Sequence, residues 1–391
     1  MSAQFTSVLR RHNISWSDRF FAFRDGLLAN PRFQRWAASF PLTRPIVQHR
    51  AGALFDLCAG FVYTQVLLAC VRLRLFDTLA AGPQSAPALA VQLALRPDAT
   101  LRLLDAAVAL RLVERRSGER YGLGPLGAPM VGNGAIAAMV EHHALVYGDL
   151  GDPVALLRGN ARDTALSSFW PYASTDRPDM LCTKEVAPYT DLMAQSQSLI
   201  ADQVLDAYPV AKHRCLLDVG GGDGRFCVAV AEREPDLRLM LFDLPAIARR
   251  AGTRFTEAGI SGRAKVFGGD FLTDPLPNGA DLISLVRVIH DHDDARALRL
   301  LRAARQALPA HGTLLLAEPM SGTPGAEAMG DAYFGFYLLA MGRGQPRTRP
   351  QLETLLRAAG FGRIRMAHTA TPLQTRLLVA HPVRLGENPS E

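Results

Sequence analysis

Lysine is almost missing from this 391-residue chain: Lys184, Lys212 and Lys265 are the only three among 43 basic residues, so the net charge of +6 is an arginine charge. A GC-rich coding sequence gives that bias, which does not by itself point to nucleic acid. Cysteine is sparse as well. Cys58, Cys70, Cys182, Cys215 and Cys227 are odd in number, form no CxxC pair and fall mostly inside apolar runs. That excludes a disulfide framework and reads as buried thiols in a reducing cytoplasm. No run reaches the roughly 18 uncharged apolar residues of a membrane span. The nearest, LCAGFVYTQVLLACV at 57–71, is broken by Thr64 and Gln65, bounded by Asp56 and Arg72, and reads as a buried helix. No apolar segment follows the first charges, so no signal peptide is expected, and no spacing of His, Cys or acids suggests a metal.

Glycine, by contrast, is concentrated where it matters. In LLDVGGGDG, Leu216 to Gly224, an apolar run ending at Asp218 reads as a buried strand, and Gly220, Gly221, Gly222 and Gly224 as a tight turn. FCVAVAERE then has helical length and period. A strand, glycine turn and helix bring backbone amides and a helix N-terminus to a ligand. The glycines give GxGxG instead of the dinucleotide GxGxxG, with Asp218 two residues ahead, which is the pattern of S-adenosylmethionine (SAM) sites. A second strand, LRLMLFDL, ends in Asp243, 19 residues after Gly224, where nucleotide folds place an acid for ribose hydroxyls.

The chain reads as three parts: 1–127, a helical arm and winged-helix-like domain; 128–210, a helical connection contributing to a substrate pocket; and 211–391, the ligand-binding domain. The arm is rich in arginine and aromatics, with helices stopped by Pro31, Pro41 and Pro45. It is too short for a core of its own and needs a protein or membrane partner. From 51 to 127 the order is helix, helix, helix, hairpin, with Ser85 and Asp98 as helix N-caps. The third helix offers Arg102 and otherwise mostly apolar residues, so no nucleic-acid partner is expected. In the middle part Phe169, Trp170 and Tyr172 are candidate pocket residues, while His142 and His143 stay unassigned. From 213 onward, near-continuous apolar strands alternate with helices and end in a closing pair, FGRIRMAHTA and QTRLLVAH, that includes an antiparallel strand. The fold class is therefore α/β, a Rossmann-like seven-stranded sheet.

Two ionisable residues fall at strand ends beside the glycine turn: His290 after ADLISLVRVI and Glu318 after GTLLLA. A carboxylate holding one ring nitrogen leaves the other free to accept a proton. The rest of the run HDHDD, Asp291 to Asp294, has side chains of metal-ligand type, yet being contiguous at the start of a helix it reads as helix capping. The chemistry implied is methyl transfer to a hydroxyl.

LLDVGGGDG, FDLP at 242–245, GGDF at 268–271, the His-Asp pair at 290–291 and LAEP at 316–319 together resemble the O-methyltransferases that include plant caffeate and hydroxyindole enzymes. The resemblance covers most of the chain. It implies a class I SAM-dependent methyltransferase domain behind an N-terminal all-α, winged-helix-like dimerisation domain, and a homodimer. It further implies His290 as base, Glu318 as its orienting acid, and SAM contacts from Gly220, Gly222, Asp243, Asp270 and Phe271, to which the turn pattern adds Asp218. Two departures stand out. The second acid of the plant members falls on Pro346, and their lysine four residues before the histidine is Val286 here, with Arg287 one place on as the candidate SAM contact. The arm and the 50–76 segment look more specifically like bacterial carotenoid O-methyltransferases acting on the C1 tertiary hydroxyl of hydroxyneurosporene and demethylspheroidene. Such an acceptor needs a deep apolar channel, with Phe334, Phe336, Tyr337, Leu338 and Met341 as candidate lining, and gives the arm a reason for peripheral contact with the inner membrane. The competing readings are a phenolic or chlorin acceptor on the same fold, a winged-helix regulator with a vestigial SAM domain, and a nicotinamide dehydrogenase, which the glycine spacing disfavours.

Overall fold

The computed structural model describes residues 15–160, 163–175, 177–372 and 374–383. The start of the arm, 1–14, and the end of the last domain, 384–391, lie outside the described residues. The chain divides into two compact units, Met1–Val131 and Gly132–Glu391.

The first unit opens with three helices, α1 (Trp16–Ala29), α2 (Pro31–Ser39) and α3 (Arg44–Arg72). Ser15 closes a capping box on α1, and Asn30 accepts from the Arg32 and Phe33 amides to start α2. Pro31 and Pro45 stand in the first turn of α2 and α3. They open helices where the sequence suggested they end them, because a first-turn N–H needs no partner. The larger correction concerns α3. Its apolar run is not buried: Leu57 is 83% and Phe61 67% exposed, and only Leu68 and Cys70 are enclosed. By length and composition α3 is also apolar enough to cross a membrane, since its long register carries a mean hydropathy of 1.8 over 18 residues despite Thr64 and Gln65.

Behind α3 come α4 (Leu75–Ala80), α5 (Ala86–Gln92) and α6 (Pro97–Ala109), with strands β1 (Gln84–Ser85), β2 (Val113–Arg116) and β3 (Arg120–Leu123) in the order β1-β3-β2. Leu75, Phe76, Leu79, Leu89 and Leu104 form their core. Ser85 caps α5. Asp98 does not cap α6: it lies in the first turn, where it pairs with the N-cap residue Arg96.

The second unit begins with helices α7 (Gly134–Asp149), α8 (Pro153–Leu157), α9 (Ala165–Phe169), α10 (Pro171–Ser174) and α11 (Thr183–Ala207). The strands follow as β4 (Cys215–Val219), β5 (Arg238–Asp243), β6 (Ala264–Gly268), β7 (Leu282–Val286), β8 (Thr313–Glu318), β9 (Phe361–Ala367) and β10 (Arg376–Pro382). Between and after them run α12 (Arg225–Arg233), α13 (Pro245–Glu257), α14 (Asp294–Ala307), α15 (Phe334–Met341) and α16 (Arg349–Ala358). The seven strands form one sheet in the order β6-β5-β4-β7-β8-β10-β9, with β10 antiparallel to both neighbours. Strands such as β4, β7 and β8 are buried along their whole length because apolar layers cover both faces. Chain order reverses between β4 and β7, so the crevice beyond their carboxyl ends is the place for a ligand.

Candidate active site

The glycine turn stands at that crevice. Gly220, Gly222 and Gly224 have φ of 70°, 60° and 86°, a region closed to most side chains. A Cβ on Gly220 would also sit 2.8 Å from Val288 Cγ2, so the turn can approach the segment after β7 only as glycine. Asp243, at the end of β5, is pinned beside it: its carboxylate accepts from the Gly222 amide at 2.8 Å and the Leu244 amide at 2.7 Å. Burial pushes its pKa up to about 7, against the opposing pull of those two amides.

Asp218 is not placed as expected. It is buried and absent from the cavity lining, because the strand alternation of β4 turns it inward, where it accepts from Ser284 Oγ of β7 at 2.6 Å. Burial raises its pKa to about 7. Its other oxygen, Oδ2, lies 2.5 Å from where a Cβ on Gly221 would stand, directly beneath the turn. Asp270 and Phe271 do line the cavity, Asp270 ordering its own loop by accepting from the Leu272 amide at 2.9 Å. Arg287, at φ 60°, lines it too and donates to Ser196 Oγ at 2.9 Å.

His290 lies on a short 3-10 turn, Ile289–Asp291, after β7. Glu318, the last residue of β8, holds both the turn and the ring. Its Oε1 accepts from the Val288 and Ile289 amides at 3.0 and 2.7 Å, while Oε2 stands 2.5 Å from His290 Nδ1. On the other side of the ring, Asp291 Oδ1 lies 3.2 Å from Nε2, and Asp291 Oδ2 accepts from the Tyr172 hydroxyl at 2.7 Å. Burial alone would lower the pKa of His290; the Asp291 and Glu318 carboxylates outweigh it, and the net direction is up.

Of the run after His290, Asp293 caps α14 by accepting from the Arg296 amide and Asp294 lies in its first turn. Capping does not cover Asp291, which faces the cavity, nor His292, which is buried edge-on against Phe271. The reason is that the 3-10 turn precedes the helix and turns its own side chains inward.

A cavity of about 470 Å³ joins these residues. Trp170, Phe334 and Tyr337 line it as the sequence suggested, and Tyr172 with them; Phe334 stands edge-on to His290 at 5.7 Å. Phe169 and Met341 do not line it. Met341 is packed in the helical core, and Phe169 lies against the His142 ring. The expected channel along 334–341 is likewise reduced to two residues, since Leu338 is core and Phe336 points to the surface. His142 and His143, left unassigned by the sequence, bond to Tyr337 and Tyr333 at 2.7 and 2.9 Å and hold that aromatic wall. Burial brings the His142 pKa down to about 4, so its ring is neutral.

The segment around Pro346 has a different use from the one its missing acid would have had. Gln345 donates its amide to the His290 carbonyl at 2.9 Å, and Gly344, at φ 90°, is where a Cβ would collide with that carbonyl. The buried Arg347 donates to the Ile289 carbonyl at 2.9 Å and the His292 carbonyl at 2.7 Å, and pairs with Asp294. The segment clamps the backbone that carries His290.

Residues 147–362 match the O-methyltransferase domain family and residues 55–132 the O-methyltransferase dimerisation domain. The chain is 42% identical over 345 residues to demethylspheroidene O-methyltransferase of Cereibacter sphaeroides, covering 87% of this chain and 89% of that one. It is 32% identical to acetylserotonin O-methyltransferase of Mus musculus, over 82% and 86% of the two chains. Among solved structures, CalO1, a methyltransferase of calicheamicin biosynthesis in its SAH-bound form, superposes with a TM-score of 0.70 at 27% identity, covering 86% of this chain and 99% of that one. The residues here fit SAM: the glycine turn leaves a cradle that a Cβ would fill, and the half-buried Asp243 carboxylate keeps lone pairs for ribose hydroxyls beyond its two amide bonds. The chain belongs to the O-methyltransferase family, as a SAM-dependent enzyme with an N-terminal dimerisation domain.

Proposed function

We propose that this enzyme methylates the C1 tertiary hydroxyl of an acyclic carotenoid of the hydroxyneurosporene or demethylspheroidene type, with His290 as general base and Glu318 as its orienting acid. The observation that carries the base is the short Glu318–His290 contact at the mouth of the SAM crevice. The acceptor rests on the relationship to demethylspheroidene O-methyltransferase. Gly220, Gly222, Asp243, Asp270, Phe271 and Arg287 hold the cofactor in this reading, and Asp218 acts only through the turn above it. When bound, SAM would supply a methyl group already activated on sulfur, its S–C bond breaking as the methyl is transferred and the sulfur leaving as the neutral thioether of S-adenosylhomocysteine.

The chain's share is alignment and proton removal. With Nδ1–H donated to Glu318, the neutral ring presents the Nε2 lone pair to the cavity. A tertiary alcohol exceeds histidine in pKa by roughly ten units, on the order of 14 kcal/mol, so it is not deprotonated beforehand. Nε2 takes the proton as the new O–C bond forms, and Glu318 and Asp291 stabilise the imidazolium that results. General-base help of this kind contributes about 10² to 10⁴ in rate. A cavity of about 470 Å³ shared with the cofactor admits the hydroxylated end of the acceptor and leaves the rest of the polyene outside. Contact with the lipid that dissolves such an acceptor, and a homodimer joined through 55–132, belong to the same reading.

The test is incubation of the enzyme with methyl-labelled SAM, offering a 1-hydroxycarotenoid in detergent and, separately, a phenol. Label in the carotenoid ether supports the acceptor; label in the phenol alone overturns it and leaves the family assignment standing.

A further inference from the structure

Among the described residues no side chain of α1 is enclosed, although the helix is firmly specified by its capping box. Four of its six large apolar residues share one face, while Phe21 and Leu28 lie roughly 110–130° away from it. Trp16, Phe20, Phe23 and Leu27 recur at steps of four, three and four, and so fall within about 60° of one face. Trp16 is 88%, Phe20 62% and Phe23 69% exposed. Arg19 and Arg24 flank this stripe on opposite borders, while Asp18 and Asp25 lie on the far side of the helix. Arg24 lies over the Phe21 ring and pairs with Asp25, both of them exposed, an interaction worth little in water. The arm beyond α1 repeats the composition: Trp36 stacks on Phe40, and residues 15–50 hold six arginines against two acids, an excess of four in a chain of net +6.

We propose that α1 lies in the plane of an anionic lipid surface, its aromatic stripe inserted among the acyl chains and Arg19 and Arg24 at the phosphates. This names the surface and the lipid class for the membrane contact proposed above, and it holds whatever the acceptor is. An apolar stripe bordered by arginines with acids opposite is what an interfacial helix requires, since the borders meet the headgroup phosphates while the acids stay in water. A second copy fits the same face poorly. Self-pairing along the stripe brings the arginine borders of both copies to one seam and leaves the acids turned away. The matched dimerisation region, moreover, begins only at residue 55.

The experiment is flotation of the full-length enzyme with phosphatidylcholine vesicles, with and without phosphatidylglycerol. It is run beside Phe20→Glu/Phe23→Glu and Arg19→Gln/Arg24→Gln variants, with sedimentation velocity and methyl transfer in detergent measured on each. The proposal expects binding to the anionic vesicles, lost in the Phe double variant and weakened about fivefold per arginine replaced at low salt, with oligomeric state and detergent activity unchanged. Quenching by brominated lipid that disappears on Trp16→Phe adds the depth. Equal binding by the Phe variant, binding that ignores lipid charge, or binding that resists alkaline carbonate, as a spanning α3 would give, overturns it. So does a change of oligomeric state in the Phe variant without vesicle binding, which hands the stripe to a second copy. Failure here leaves the acceptor assay untouched, and failure of that assay leaves the vesicle result standing.

Discussion

Replacing Glu318 by Gln tests the proposed dyad while leaving shape intact. In the parent, Oε1 takes two amides, from Val288 and Ile289, and Oε2 meets Nδ1 of His290. A glutamine keeps its oxygen on the two amides, because turning it the other way would set its NH2 against both N–H groups. Its NH2 then faces Nδ1 at the position Oε2 held. A donor opposite Nδ1 moves the ring proton to Nε2, the side that must accept a proton from the acceptor hydroxyl. Inverting the tautomer of a base in this way removes most of its contribution, about 10² to 10⁴ in kcat. Stability falls by about 1 to 3 kcal/mol for the lost charge-assisted bond, whereas Glu318→Ala would leave two enclosed amides without an acceptor and confuse activity with folding. Glu318 does not line the cavity, so SAM affinity and acceptor KM should stay near the parent's. The assay is initial-rate transfer of labelled methyl with calorimetric SAM binding as the control. A Gln variant that binds SAM and turns over within about tenfold of the parent would refute the tautomer argument.

Three further outcomes follow from the same geometry. As the proposed base, His290 would have to be neutral, and its pKa is raised, so kcat/KM should fall toward acid through a midpoint above about 6.5; Asp291→Asn should move that midpoint down. The same raised pKa adds stability that is full below histidine's ordinary value and is lost as pH rises through the folded one, a trend that thermal melts across pH should show for the parent and not for His290→Ala. If Asp243 takes the ribose hydroxyls as proposed, SAM affinity should weaken as pH drops below about 7, where its carboxylate becomes protonated, and calorimetry on Asp243→Asn should show no such trend. Arg347→Met strips the donors from the Ile289 and His292 carbonyls, so kcat should fall more than KM rises, with a lower melting temperature. Lysine should restore only part, since it lacks the planar fork.

What the sequence made legible was local. The glycine turn, Asp243 and the two strand-end residues His290 and Glu318 are each readable from a few neighbouring positions, because strand, turn and helix signals lie side by side. Asp218 was misplaced at the cofactor because spacing from the glycines says nothing of which way β4 turns it; its partner Ser284 is on another strand. Asp291 was hidden by the real caps next to it, and its bond to Tyr172 joins positions 119 residues apart. The clamp by Arg347 acts on backbone carbonyls, which leave no residue signature. The exposed face of α3 reads as core in a single sequence, because an apolar helix covered by its own chain and an apolar helix left exposed by it have the same composition.

The most direct test of the central claim is single-turnover transfer from methyl-labelled SAM to a 1-hydroxycarotenoid at saturating cofactor, comparing the parent with His290→Ala. With His290 as base and the carotenoid as acceptor, label appears in the carotenoid ether, at a rate lower by about 10² to 10⁴ in the variant, with SAM binding retained. Transfer by His290→Ala at close to the parent rate would contradict the base, and no label in the carotenoid from the parent enzyme would contradict the acceptor.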